Sequence, residues 1–231
     1  MTQELRAPLQ VLMGFGGILH REVAGTLTPR QHDYLNKLLG SASVMAHLID
    51  SVLDAGRVAR GELSLTPQIL DFTELLESAI AGQRAEAVSH HQHVEIDIPT
   101  PLPVLYADSE RLHQVITELL GNAIKFTPDG GTIRVRAREE GARVLCEVEN
   151  TGEGLSREAL SRMFQPYASL EPALAKAETG VGLGLHVSRA IAEAHGGTLQ
   201  VESHPGAGSV FRLSLPTLDS NRLLEQRFPA R

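Results

Sequence analysis

Three glycine-bearing segments and one pair of helical side chains carry the chemistry available to this chain. The segments are Asn150-Thr151-Gly152-Glu153-Gly154, Thr179-Gly180-Val181-Gly182-Leu183-Gly184-Leu185 and Gly206-Ala207-Gly208-Ser209. Glycines that alternate into a helix start let backbone N–H groups approach a phosphate, which the helix dipole also favours. The spacing is GxGxG and no Gly-Lys-Ser/Thr follows, so neither the Walker pattern nor the dinucleotide fingerprint fits. The helical pair is Glu118 and Asn122, four residues apart on one face. A carboxylate beside an amide oxygen suits Mg²⁺, a cation that takes oxygen ligands and keeps several waters. Lys125, three residues on, is placed to reach a phosphate.

These residues need elements to hold them, and the hydropathy pattern supplies candidates. The spacing predicts helices over Asp71 to Val88, Asp108 to Phe126, Ser156 to Phe164 and Leu183 to His195. Strands are predicted at Val94 to Ile98, Gly131 to Glu139, Ala142 to Asn150, Thr198 to Ser203 and Ser209 to Leu215. Gln165 to Thr179 lacks periodicity and reads as a loop, and residues from Thr217 onward read as a polar, partly helical tail. Few helices and an antiparallel sheet point to an α+β sandwich with helices on one face.

The first 62 residues read differently. Leu5, Leu9, Leu12, Gly16, Leu19 and Val23 repeat at heptad spacing, as do Leu35, Leu38, Ala42, Met45, Ile49 and Val52. Between them Thr28 can cap a helix and Pro29 suits its first turn. Pro8 predicts a kink near the start of the first helix. One antiparallel hairpin cannot cover its own apolar stripe, so a homodimeric four-helix bundle is the expected arrangement. The expected domains are therefore 1–62, a dimerising hairpin, and 66–217, a nucleotide-binding domain, with 218–231 as a tail.

Composition narrows the function classes. A chain of 231 residues with 42% apolar side chains can bury a core, and a net charge of −7 without a basic cluster argues against a nucleic-acid partner. No apolar run approaches the roughly 20 residues of a membrane helix. The single cysteine, Cys146, lies in a strand-like run, which reads as a buried thiol. Together with the lack of a secretory leader it favours a cytoplasmic setting. The chain opens inside a helical pattern at Met1-Thr2-Gln3-Glu4, from which an upstream segment is expected.

The order of these motifs resembles the transmitter core of sensor histidine kinases, a dimerisation-and-phosphoacceptor hairpin followed by a Bergerat-type ATPase domain. Thr2-Gln3-Glu4-Leu5-Arg6-Ala7-Pro8-Leu9 is similar to the H box, and Glu118-Leu119-Leu120-Gly121-Asn122-Ala123-Ile124-Lys125-Phe126-Thr127 to the N box. Residues 150–154 resemble the first glycine box, Phe164-Gln165-Pro166-Tyr167 the F box and residues 180–185 the second glycine box.

The resemblance implies ATP and Mg²⁺ as cofactors and a response-regulator receiver domain as partner. It implies Asn122, with Glu118, as metal ligand, Lys125 on a phosphate and Phe126 beside the base. Asn150, Gly152, Gly154, Tyr167, Gly180, Gly182, Leu183, Gly184 and Leu185 would shape the pocket, residues 165–179 would form a lid, and Ser209 would bridge to adenine through water. Glu4 and Glu118 are the implied catalytic carboxylates. At position 150 the family has aspartate, and Asn150 can accept from the adenine amine only without charge assistance, a loss of ~1 kcal/mol.

Gln3 stands where the family has the phosphorylated histidine. A carboxamide nitrogen is delocalised into its carbonyl and cannot accept a phosphoryl group, even with Glu4 beside it as base. Ala7 also lacks the polar group that helps a water dephosphorylate the partner. His32-Asp33 copies a His-acid pair but opens the second helix, His20 has no neighbouring base, and His90-His91-Gln92-His93 reads as solvated loop histidines rather than a metal set. A kinase core, an ATP-sensing dimer that docks a regulator without transfer, and an ATPase using Glu118 are the function classes that remain.

Overall fold

The computed structural model describes residues 2–21, 26–168 and 182–218, with the side chains of residues 2–8 and 47 left aside. Gln3 and Glu4 are thus placed only as backbone, and Gly180 and the segment 219–231 lie outside the described residues. The chain divides into two compact units, Met1–Glu62 and Leu63–Arg231.

The first unit is a helical hairpin of α1 (Thr2–His20) and α2 (Pro29–Ala59). Thr28 starts α2 with a reciprocal cap. Its hydroxyl accepts from the Gln31 backbone N–H at 3.3 Å while its own N–H donates to Gln31 Oε1 at 2.8 Å. The helix α1 continues through Pro8. The heptad seam divides: Leu9, Gly16 and Ala42 are buried, while Leu12, Leu19, Leu38, Met45 and Val52 lie 43–56% exposed beside Phe15 at 66%. One row of each stripe packs inside the hairpin and the other faces outward. Contrary to the sequence expectation, α2 is long and apolar enough to cross a membrane by length and composition. Seam residues at a and d supply much of that apolarity.

The second unit opens with β1 (Gln68–Leu70), α3 (Phe72–Ser89), β2 (His93–Asp97), β3 (Leu105–Ala107) and α4 (Ser109–Phe126). It continues with β4 (Thr132–Glu140), β5 (Arg143–Asn150), α5 (Arg157–Arg162), α6 (Gly184–Ala194), β6 (Thr198–His204) and β7 (Gly208–Pro216). Asp71, Asp108 and Ser156 cap α3, α4 and α5 through side-chain oxygens that accept first-turn N–H groups.

The five-stranded sheet runs β2-β4-β5-β7-β6. Its strands are antiparallel except for β2 and β4, which pair in parallel from His93↔Thr132 to Asp97↔Arg136. This corrects the expectation of a wholly antiparallel sheet. The connection from β2 to β4 passes through α4, and a helical crossover returns the chain to the same end of the sheet. A second difference is the small antiparallel ribbon of β1 and β3, three residues each.

The helices α3, α4 and α6 cover one face. Leu76, Leu112, Ile116, Leu119, Ile133, Val135, Ile191 and Leu213 are essentially sealed between the layers. Cys146 joins them as predicted, and burial pushes its thiol up to about 12. The opposite face carries a charged lattice in which Glu147 accepts from Arg138 and Arg212, each at 2.8 Å. Burial would raise the Glu147 carboxyl, but those two guanidinium hydrogen bonds outweigh it and hold it below the usual range.

Candidate nucleotide site

Ladder register brings one row of polar side chains together at an end of the helix-covered face. Asn150 on β5 lies opposite Ser209 on β7, and Ser209 opposite Ser203 on β6. All three side chains are buried, with 4%, 8% and 6% exposed. Ser203 Oγ accepts from the Leu155 N–H at 2.9 Å and donates its only proton to the Gly208 carbonyl at 2.7 Å. The 2.8 Å contact between the two hydroxyls must then be donated by Ser209, which leaves Ser209 with lone pairs alone to offer. No hydrogen bond of the Asn150 carboxamide is found among the described residues, and its polar atoms are not among those sealed from solvent without a partner, in keeping with its place on a cavity wall.

A cavity opens over this row. Asn122, Lys125, Phe126, Asn150, Glu153, Gly154, Leu185 and Ser209 line it, with Leu155, Met163 and Phe211 on its apolar side. Its lining residues differ in burial and chemistry. Leu155, Met163, Phe211, Asn150 and Ser209 are buried and uncharged, whereas Lys125 is exposed and Asn122 and Leu185 half-buried. Lys125 Nζ also lies 5.4 Å from the centre of the Phe126 ring.

The helix α4 carries the polar lining residues on its edge because Leu112, Val115, Ile116, Leu119 and Ala123 turn its other side into the core. Asn122 Nδ2 donates to Glu118 Oε1 at 3.0 Å, which fixes the amide orientation and leaves the Asn122 carbonyl oxygen as a ready ligand for a hard cation. Glu118 itself does not line the cavity. Its carboxylate lies against Gly184, the first residue of α6, where a Cβ would collide with it. An acidic group at a helix N-terminus is favourably placed with respect to the dipole.

Loop geometry demands glycine at two points. Gly154 has φ +70 and its α-carbon abuts the His204 carbonyl, while Gly208 has φ +80 against the Asn150 carbonyl. A side chain at either would be strained in conformation and would have no space. Gly152 and Gly182 pack closely against Phe126 and Ala168 backbone, and Leu183 is buried in the core just before α6. Tyr167 stands 66% exposed with φ +62, away from the lining residues.

Of the residues read from the sequence, the structure gathers Asn122, Lys125, Phe126, Asn150, Gly154, Leu185 and Ser209 in one cavity. Gly152, Gly182, Leu183, Gly184 and Glu118 are not among its lining residues. Glu153, Leu155, Met163 and Phe211 were not anticipated as lining. Phe211 alternates with Ser209 along β7 and could have been placed on the same face by period alone. His20 and His32 meet edge to face at 5.8 Å in the hairpin, and His90 pairs with Asp129 at 3.2 Å. Among the described residues no cluster of three metal-binding side chains occurs.

Comparison with known proteins decides the family. Residues 1–61 match the His Kinase A (phospho-acceptor) domain, and residues 107–219 match the histidine kinase-, DNA gyrase B-, and HSP90-like ATPases. This chain belongs to the sensor histidine kinase family.

The histidine kinase chain is 36% identical to the sensor protein GacS of Pseudomonas syringae over 93% of its own length and 24% of the relative's. It is 32% identical to the non-motile and phage-resistance protein of Caulobacter vibrioides, over 100% of this chain and 28% of that protein. It thus spans about a quarter of the length of these curated relatives. Full-length ShkA, solved in complex with AMPPNP, is similar to it with a TM-score of 0.74 at 27% identity, covering 95% of this chain and 45% of that one.

Proposed function

We propose that this chain is the ATP-binding, dimerising core of a two-component histidine kinase acting in the cytoplasm. The carrying observation is one cavity lined both by the buried Asn150 and Ser209 and by Lys125 and Asn122. A purine suits the buried, uncharged part of the lining, where Asn150 and Ser209 offer in-plane hydrogen bonds. A triphosphate suits the more open part of the lining, where the Lys125 ammonium attracts negative charge. Asn122, through its carbonyl oxygen, would hold Mg²⁺, with Glu118 orienting the amide. The ion, when bound, would neutralise charge on the phosphate oxygens.

The exposed seam of Leu12, Phe15, Leu38, Met45 and Val52 supports a homodimer through the hairpin. A response-regulator receiver domain would dock on that hairpin and take the phosphoryl group. Gln3 cannot receive it first, so the accepting imidazole would sit at this position in a version of this chain that carries histidine there, or in a partner chain. A second reading, favoured by Gln3 and Ala7, is an ATP-sensing dimer that docks a regulator without transfer. An ATPase using Glu118 stands third, because a hairpin with this heptad pattern is unexpected in such ATPases.

The test uses γ-labelled ATP with Mg²⁺ on this chain and on Gln3→His. Acid-labile label on the histidine variant alone supports the kinase core. Free phosphate from both, lost in Glu118→Ala, supports the ATPase, and nucleotide binding with neither product supports the sensor.

A further inference from the structure

A carboxylate can only accept hydrogen bonds, but a carboxamide presents an acceptor and a donor side by side. At position 150 that difference determines which purine edge is tolerated. Adenine offers a 6-amino donor next to the N1 acceptor, whereas guanine and hypoxanthine offer a 6-oxo acceptor next to an N1–H donor. A carboxamide complements either edge after a half-turn about its last torsion, which is broad and two-fold for asparagine.

The half-turn is available here. No described residue donates to Asn150 Oδ1 or accepts from its Nδ2, so no hydrogen bond prefers one orientation. This contrasts with Asn122, whose amide is fixed by Glu118 at 3.0 Å, and with Gln92, whose Nδ-equivalent Nε2 is held by two backbone carbonyls at 2.9 and 2.8 Å. The other polar group on the cavity floor does not restore the discrimination. Ser209 donates its proton to Ser203, so it offers lone pairs that accept equally from an adenine amine or a guanine N–H. Glu153 lines the same cavity and adds an acceptor of the kind that the guanine 2-amino group needs.

We infer that Asn150 makes the base pocket indifferent to the 6-substituent, so that the site takes 6-oxopurine nucleoside triphosphates as well as ATP. The inference rests on the nucleotide reading of the cavity given above.

Calorimetric titration of the 231-residue chain with β,γ-imido analogues of ATP and GTP in Mg²⁺ tests it. Dissociation constants within about fivefold of each other support the inference; one mispaired buried contact alone would cost about fivefold to 150-fold. ATP-analogue binding with the GTP analogue weaker than that limit overturns it and leaves the nucleotide reading intact. Binding of neither by folded protein removes the nucleotide reading and the inference together. In Asn150→Asp the preference for the ATP analogue over the GTP analogue should rise by about tenfold or more. Because it is a ratio measured on one variant, any general loss of affinity cancels. An unchanged ratio contradicts Asn150 as the determinant.

Discussion

The backbone N–H of Asp108 donates to His195 Nε2 at 3.0 Å, joining residues 87 apart in sequence. His195 Nδ1 lies 2.8 Å from the Ile191 carbonyl, to which only a protonated nitrogen can bond, so the imidazole is the Nδ1–H tautomer and its Nε2 accepts. Asp108 in turn caps α4 and accepts from the Thr66 N–H at 2.8 Å. Burial would raise the Asp108 carboxyl, yet the Thr66 and Arg111 N–H groups hold it below its usual range. The start of the helix that carries Glu118 and Asn122 is thereby tied to the end of α6.

His195→Ala would orphan a partly buried N–H, and a loss of about 1–3 kcal/mol is expected. Urea unfolding of the variant measures it. No shift in the midpoint would show that the tie contributes nothing.

Glu147 predicts the acid side of the stability profile. Its carboxyl is depressed in the folded chain by Arg212 and Arg138, so the unfolded chain binds the proton first as acid is added. The stabilisation is therefore complete above the ordinary glutamate value of 4.5 and is lost as pH falls through the folded value. Glu147→Gln should melt below wild type at neutral pH, with the gap narrowing below about pH 4. A gap that stays constant with pH contradicts the ion pairs.

Gly154→Ala should be costly whatever ligand is bound. The φ of +70 and the abutting His204 carbonyl leave neither conformation nor space, so about 2 kcal/mol or more is expected. Thermal unfolding without nucleotide checks it, and an unaltered midpoint counts against this loop geometry.

Sequence periodicity placed the helices well because their signals are local. Thr28 and Gln31, Asp71, Asp108 and Ser156 cap the starts that their residue types suggest. The turn between β4 and β5 was legible from Glu139-Glu140-Gly141 for the same reason. Parallel pairing of β2 with β4 was not, since strand direction depends on the crossover through α4 rather than on any residue in β2. The ribbon of β1 and β3 is too short for alternation to register. In the site, Asn122, Asn150 and Ser209 were legible from motif order. The contact of the Glu118 carboxylate with Gly184 was not, because it depends on how closely Gly184 approaches α4.

The outward row of the hairpin predicts assembly. Leu38→Glu with Met45→Glu should convert a dimer into a helical monomer, since both side chains stand about half exposed in the single chain. Sedimentation and far-UV circular dichroism read this together. A wild-type monomer would exclude pairing through the seam.

The central claim is that one cavity holds a magnesium-bound triphosphate between Asn122 and Asn150. Calorimetry with an ATP analogue, with and without Mg²⁺, on wild type and Asn122→Ala, addresses it most directly. The account predicts saturable uptake by wild type, about tenfold or more weaker without Mg²⁺, and little dependence on Mg²⁺ in the variant. Uptake by wild type that is indifferent to Mg²⁺, or no uptake by well-folded protein, would contradict it.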